Sequence, residues 1–133
     1  MIENLGNLER THSCGELRKE HVGKRVTLMG WCARRRDFGP LTFIDLRDRA
    51  GLTQIVVNQE KAPSAHAKAK NVRGEYVLAV IGEVVLRDES AGNPKLATGA
   101  VEVQAGEIRI LNEARTLPFQ LDTVSPETLA SEI

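Results

Sequence analysis

Apolar residues recur at every second position in several short runs of this chain, and each run stops at a cluster of turn-forming residues. Val26 to Ala33 (VTLMGWCA) is the first run. Val26, Leu28 and Cys32 fall on one face, and Gly30 interrupts that face as a bulge or sharp bend would require. Asp37-Phe38-Gly39-Pro40 reads as a turn, followed by a second strand from Leu41 to Arg47 (LTFIDLR). Asp48-Arg49-Ala50-Gly51 is another turn, and Leu52 to Asn58 (LTQIVVN) is the third strand. The pattern changes after Pro63. Ser64 to Arg73 is rich in Ala and Lys and predicts one helix, closed by Gly74. Tyr76 to Leu86 predicts a fourth strand with Gly82 inside it, and Ala100 to Leu111 a fifth, alternating across Gly106. Near the start, Ser13 to Glu20 reads as a short helix, with Ser13 and Glu16 spaced as a capping box.

The element order is therefore β-β-β-α-β-β. This is the order of the OB-fold, a five-stranded Greek-key barrel, all β except for one helix between the third and fourth strands. Glycines inside the first, fourth and fifth strands suit a small barrel whose strands bend sharply. A β-sandwich and an SH3-like barrel are the competing architectures. The barrel is expected to occupy residues 13–113. Residues 1–12 form a loose leading segment, and 114–133, with Pro118 and Pro126 and few core candidates, a linker.

Length and composition narrow the picture. The chain has 133 residues and 41% hydrophobic content, enough for one domain with one core. Eighteen basic residues balance 18 acidic ones, so only local charge can point to a partner. Two cysteines do not make a disulfide framework. No apolar run approaches the roughly 20 residues that span a membrane, and the start lacks the regions of a signal peptide, so the cytoplasm is expected. Cys14 or Cys32 with His12, His21 or His66 could form a nucleophile–base pair, but no spacing supports a site. His12 and Cys14 lack a second pair of metal ligands.

Alternation sorts the second and third strands into faces. With Ile44, Leu46, Ile55 and Val57 in the core, Phe43 and Gln54 point outward on the same side. An exposed ring beside an exposed amide suits single-stranded base recognition: the ring stacks, and the amide bonds the base edge. The pattern leaves the inverted register open, with Phe43 in the core as most phenylalanines are. Gln54 can equally be an idle solvent-facing residue. Residues 24–49 carry seven basic residues against three aspartates, with Arg34-Arg35-Arg36 beside the turn. That cluster is either an electrostatic footprint for a phosphate backbone or a solvated loop. Alternation prevents all three arginines from facing one way.

Several segments together resemble the N-terminal domain of bacterial-type aspartyl-tRNA synthetases. They are Arg10-Thr11-His12-x-Cys14-Gly15-Glu16-Leu17, Val26-Thr27-Leu28-x-Gly30-Trp31, Arg34-Arg35-Arg36-Asp37-x-Gly39, Phe43-Ile44-Asp45-Leu46-Arg47-Asp48-Arg49-x-Gly51-Leu52-x-Gln54, Ala97-Thr98-Gly99 and Leu117-Pro118-Phe119. The resemblance covers residues 10 to 121. It implies that Phe43 stacks on the middle anticodon base, a uridine, that Gln54 reads the same base, and that Arg36 contacts the anticodon. It implies phosphate contacts for Arg34 and Arg35, and a place near the anticodon for Glu102, which pattern alone reads as ordinary alternation. Some members charge only the aspartate tRNA and others also the asparagine tRNA. Ala33 and the loop holding Lys95 occupy positions linked to that choice, which they leave open. The resemblance further implies a homodimeric parent enzyme that attaches aspartate with ATP and magnesium, in a catalytic domain expected to be absent here. The fragment, expected to be a monomer without cofactors, would supply only binding of the anticodon loop. The rival is a general single-stranded nucleic-acid-binding OB protein, which calls for several stacking aromatics. The chain has three Phe, one Trp and one Tyr.

Overall fold

The computed structural model describes residues 9–87 and 98–113. The described chain runs β1 (Arg25–Phe38), β2 (Leu41–Arg47), β3 (Leu52–Asn58), α1 (Pro63–Ala69), β4 (Val77–Leu86) and β5 (Val101–Asn112), preceded by one 3-10 turn at Lys19–His21. The strands close into a barrel in the order β1-β2-β3-β5-β4. Adjacent pairs are antiparallel except β3 and β5, which run parallel. The helix lies between the third and fourth strands, as the sequence predicts.

The barrel interior is filled by the alternating apolar positions. Leu28, Ile44, Leu46, Ile55, Val57, Leu78, Val80, Val103 and Ile108 have no exposed surface. Each such side chain contributes about 1.5–3 kcal/mol relative to exposure. α1 lies against β5, β3 and β2 and adds Ala65 and Ala69 to the same core. Gly30 is demanded by packing: a Cβ there would lie 2.3 Å from the Arg47 carbonyl oxygen.

β2 and β3 have the predicted bounds, but β1 runs five residues past Ala33. Ala33 is the extra residue of a β-bulge, because Cys32 pairs with Leu46 and Arg34 already pairs with Asp45. The strand then continues through Arg34–Phe38, and the turn shrinks to Gly39-Pro40 with Gly39 at φ +60°. A two-residue hairpin turn needs such a positive φ.

The helix expected at Ser13–Glu20 does not form. Its backbone is committed elsewhere: the Cys14 N–H donates to Asp48 Oδ2 at 2.8 Å, and the Cys14 carbonyl accepts from Thr53 Oγ1 at 2.6 Å. Gly15 sits so close to the Ala50 carbonyl that a Cβ would approach its oxygen to 2.2 Å. The Ser13 N–H still donates to Glu16 Oε1 at 2.8 Å, a capping contact on one isolated turn. Thr11, in the segment expected to be loose, is tied to β1 by three hydrogen bonds with the Thr27 backbone, two of them through its hydroxyl. The predicted helix Ser64–Arg73 ends early, at Ala69. The expected linker from residue 114, the Gly92-Asn93-Pro94 loop and Lys95 lie outside the described residues.

Candidate nucleic-acid interface

The bulge at Ala33 decides which arginines share a face. Without it, Cys32, Arg34 and Arg36 would all point into the barrel. With the phase reset, Arg34 stands opposite Asp45 and Arg36 opposite Phe43, while Arg35 stands opposite buried Ile44. Arg34 and Arg36 therefore project from the outer face and Arg35 from the inner one.

Arg35 reaches the end of α1. Its Nη1 donates to the carbonyls of Ala69 at 3.3 Å and Val72 at 3.1 Å, and to that of Lys70. Its Nη2 lies 3.3 Å from Asp37 Oδ2. Asp37 in turn accepts from Thr42 Oγ1, which meets the buried His66 ring. The Ala69 carbonyl also accepts from the Val72 N–H at 3.1 Å, so Arg35 reinforces a turn that already closes the helix. This arrangement makes Arg35 a clamp on the end of α1.

The outer face gathers four of the residues singled out in the sequence. Arg36 lies over the Phe43 ring, 5.7 Å from its centroid. Phe43 is half-buried, on the opposite face from Ile44 and Leu46. Arg36 Nη2 is 3.7 Å from Asp45 Oδ1 and donates to Gln54 Oε1 at 3.4 Å. Gln54 Nε2 donates to Glu102 Oε1 at 3.0 Å. Gln54 is only 9% exposed, so it is not an idle solvent-facing residue. Arg34 stands one register step away on the same face and is exposed. Ala33 is exposed at the bulge.

Arg87, just beyond β4, was not found by sequence reasoning. Its Nε lies 3.9 Å from Glu102 Oε1, is buried, and has no hydrogen-bond partner among the described residues. Such buried donors are rare and mark a site awaiting a partner or storing strain. The register offered a signal: Val85 pairs with Glu102, so a base two residues past Val85 falls beside an acid. The network thus runs Arg36, Gln54, Glu102, Arg87 across β1, β3, β5 and the end of β4. Burial pushes the Glu102 carboxyl above its ordinary range, while the Gln54 hydrogen bond and the Arg87 charge pull it back.

The contacts differ in strength. Arg36 is 44% exposed at the side chain, and its pair with Asp45 is worth about 0–1 kcal/mol. Gln54 is held firmly. A primary amide has two N–H donors and two lone pairs. Glu102 takes one donor and Arg36 one lone pair, and flipping the amide would set oxygen against carboxylate and N–H against guanidinium. One donor and one acceptor remain, in an orientation fixed by charge.

The cysteines play no part in this face. Both are buried and free. Burial pushes the Cys32 thiol up to about 11 and the Cys14 thiol upward as well, which disfavours the thiolate a nucleophile needs. Among the described residues no group of three or more His, Cys, Asp or Glu could hold a metal, and no helix is long and apolar enough to cross a membrane.

Residues 26–111 match the profile of a tRNA anticodon-type family described as an OB-fold nucleic acid binding domain. The chain is 52% identical over 132 residues to an aspartate–tRNA(Asp/Asn) ligase of Desulfotalea psychrophila, covering 99% of this chain and 21% of that protein. It is 55% identical over 122 residues to the ligase of the same name from Moorella thermoacetica, covering 92% and 20%. The chain thus spans about a fifth of the length of these relatives. Among solved structures, asparaginyl-tRNA synthetase from Pyrococcus horikoshii with asparaginyl-adenylate superposes with a TM-score of 0.66 at 26% identity, covering 92% of this chain and 27% of that one.

Proposed function

The chain belongs to the family of OB-fold nucleic acid binding domains, and on that footing we propose that its outer face, from β1 across to β5, binds the anticodon loop of the aspartate tRNA. Phe43 stacks on the middle base, which adds affinity for any base because every base has a π face. Gln54 supplies identity. Uridine offers carbonyl acceptors and one N–H donor on its Watson–Crick edge, and the remaining donor and acceptor of the Gln54 amide complement them. Cytidine exchanges that N–H for an acceptor and one carbonyl for an amino group. The observation that carries the reading is the amide held in one orientation between Arg36 and Glu102, beside the Phe43 ring.

Arg34 and Arg36 supply positive charge on the same face, Arg36 towards the base and Arg34 towards phosphate. Arg87 Nε, a donor without a partner among the described residues, donates to an acceptor of the loop. Arg35 is withdrawn from the phosphate role that its place in the triplet implies, because its donors are spent on α1.

The chain is, in this reading, the anticodon-recognition part of a cytoplasmic, homodimeric aspartate–tRNA ligase that uses ATP and magnesium and joins aspartate to the tRNA elsewhere in its length. The domain corresponds to residues 13–113, and residues from 114 lead towards the rest of that enzyme. A site that reads the middle base accepts any loop with uridine there, so the proposal extends to the asparagine tRNA named with the relatives. Binding of the aspartate anticodon stem-loop, measured against the same RNA with its middle base changed, tests the reading. Tighter binding of the uridine loop supports it. Equal binding of both would instead fit a general single-strand binder.

A further inference from the structure

Glu75 is the one residue with a side chain, among the described residues, whose φ is positive, at 71°. This left-handed region crowds the Cβ against the backbone and suits glycine. The Tyr76 N–H donates to the Arg73 carbonyl at 3.2 Å and closes a four-residue turn with Gly74 and Glu75 at its centre. A turn with positive φ at its third residue takes glycine or asparagine there. Here the glycine stands one residue early, at Gly74, where φ is not positive. Strain of this kind persists where the surrounding structure demands it, and it clusters at functional sites.

The demand comes from β1. The Glu75 N–H donates to the Cys32 carbonyl at 2.8 Å, and the Cys32 N–H donates to the Tyr76 carbonyl at 2.8 Å. Both backbone polar groups of Cys32 are therefore held by this corner. The β1–β4 ladder has its last pair at Trp31 and Val77, so the corner is the last backbone tie on that side of β1 among the described residues. The bulge against β2 follows at once, at Ala33. A bulge moved one residue on would set Ala33 opposite Asp45 and leave Arg34 as the extra residue. A bulge lost altogether would set Arg34 and Arg36 opposite Ile44 and Thr42, which are fully buried.

We propose that Glu75 is a positioning residue for the outer face: its left-handed corner pins Cys32, places the bulge directly after it, and so aims Arg34 and Arg36 outward. The inference rests on the RNA-binding reading above. The residue acts through its backbone, and its side chain matters through the φ it permits. Asparagine accepts a positive φ, whereas a β-branched residue resists it. Glutamine keeps the shape of the glutamate and removes its charge. Glu75 is exposed, so these exchanges leave the barrel core as it is.

The test titrates the aspartate anticodon stem-loop against the 133-residue chain and its Glu75→Val, Glu75→Asn and Glu75→Gln variants, across a range of salt. Each is measured in buffer and in trimethylamine N-oxide, which keeps a destabilised variant folded. Glu75→Val is expected to bind about tenfold more weakly and to lower the salt slope by about one, as the Arg34 phosphate contact is lost. Glu75→Asn and Glu75→Gln are expected to stay within about twofold of the parent chain. Arg34→Ala should lower the salt slope by about one in the parent chain and leave it unchanged in Glu75→Val. That non-additivity separates a change of aim from a loss of stability. The inference is overturned if folded Glu75→Val binds as the parent does, if Arg34→Ala acts alike in both, or if Glu75→Gln loses as much as Glu75→Val. A Glu75→Val chain that stays unfolded in both solutions overturns it too, because the corner would then serve the whole barrel rather than one bulge. A parent chain that binds the stem-loop no better than an unrelated hairpin would instead overturn the RNA-binding reading.

Discussion

The two faces of the β1–β2 hairpin satisfy their charged groups in opposite ways. On the inner face, Arg35 meets three carbonyls of one helix end and the Asp37 carboxylate. On the outer face, Arg36 holds Gln54 at 3.4 Å and Asp45 at 3.7 Å, and across the barrel Arg87 has a buried Nε with no hydrogen-bond partner among the described residues. Adjacent residues of one Arg-Arg-Arg run thus serve different ends. The inner arginine is saturated by the fold and contributes to stability. The outer ones hold fewer and longer contacts, as the proposed RNA-binding face requires. Composition cannot separate the two roles, but the bulge at Ala33 does.

Arg35→Ala is the sharpest way to break this comparison. Losing a charged donor to three helix-end carbonyls should cost about 2–3 kcal/mol of stability in urea unfolding. Affinity for the anticodon stem-loop, measured where the variant is folded, should stay within about twofold. A stable variant that has lost RNA affinity would reverse the assignment of the faces. Phe43→Ala should show the opposite signature. Binding should weaken by about 2 kcal/mol with nearly unchanged unfolding, because the ring lies outside the barrel core. Arg34→Ala should weaken all loops alike by less than about 1 kcal/mol and lower the salt slope by about one, as a phosphate contact does.

The smallest effect concerns pH. Glu102 has a folded-state pKa raised above its unfolded value by burial. The folded chain therefore binds the proton more readily, so this residue's contribution falls as pH rises from the unfolded to the folded pKa, and the cost is fully present above the latter. Glu102→Gln should remove that segment of the stability–pH profile, and an unchanged acid limb would contradict it.

How much of this was legible in sequence depends on what each residue type signals. β2 and β3 could be read to the residue, because Ile44 and Leu46 alternate with polar neighbours and Ile55-Val56-Val57 is a β-branched run between turns. The same alternation placed Phe43 and Gln54 on one outer face. The end of β1 could not be read: Ala-Arg-Arg-Arg-Asp has no apolar period, and its strand character comes from pairing with β2. The missing helix at Ser13–Glu20 has a related cause, since its local capping signal is real but Asp48 and Thr53 claim the backbone from more than 30 residues away. Glu102 came only from family resemblance, and Arg87 from neither, because a contact between β5 and the end of β4 is visible only once register is known.

The central claim is that Gln54 reads the middle base because Arg36 and Glu102 fix its amide. The most direct measurement is a four-way comparison of the parent chain and Gln54→Ala, each titrated against anticodon stem-loops with uridine and with cytidine at the middle position. A mismatched polar pair costs about 1–3 kcal/mol, and the parent chain should prefer uridine by that margin. Gln54→Ala should erase most of the preference while changing cytidine-loop affinity little. Equal losses on both loops would make Gln54 a mere contact and contradict the account.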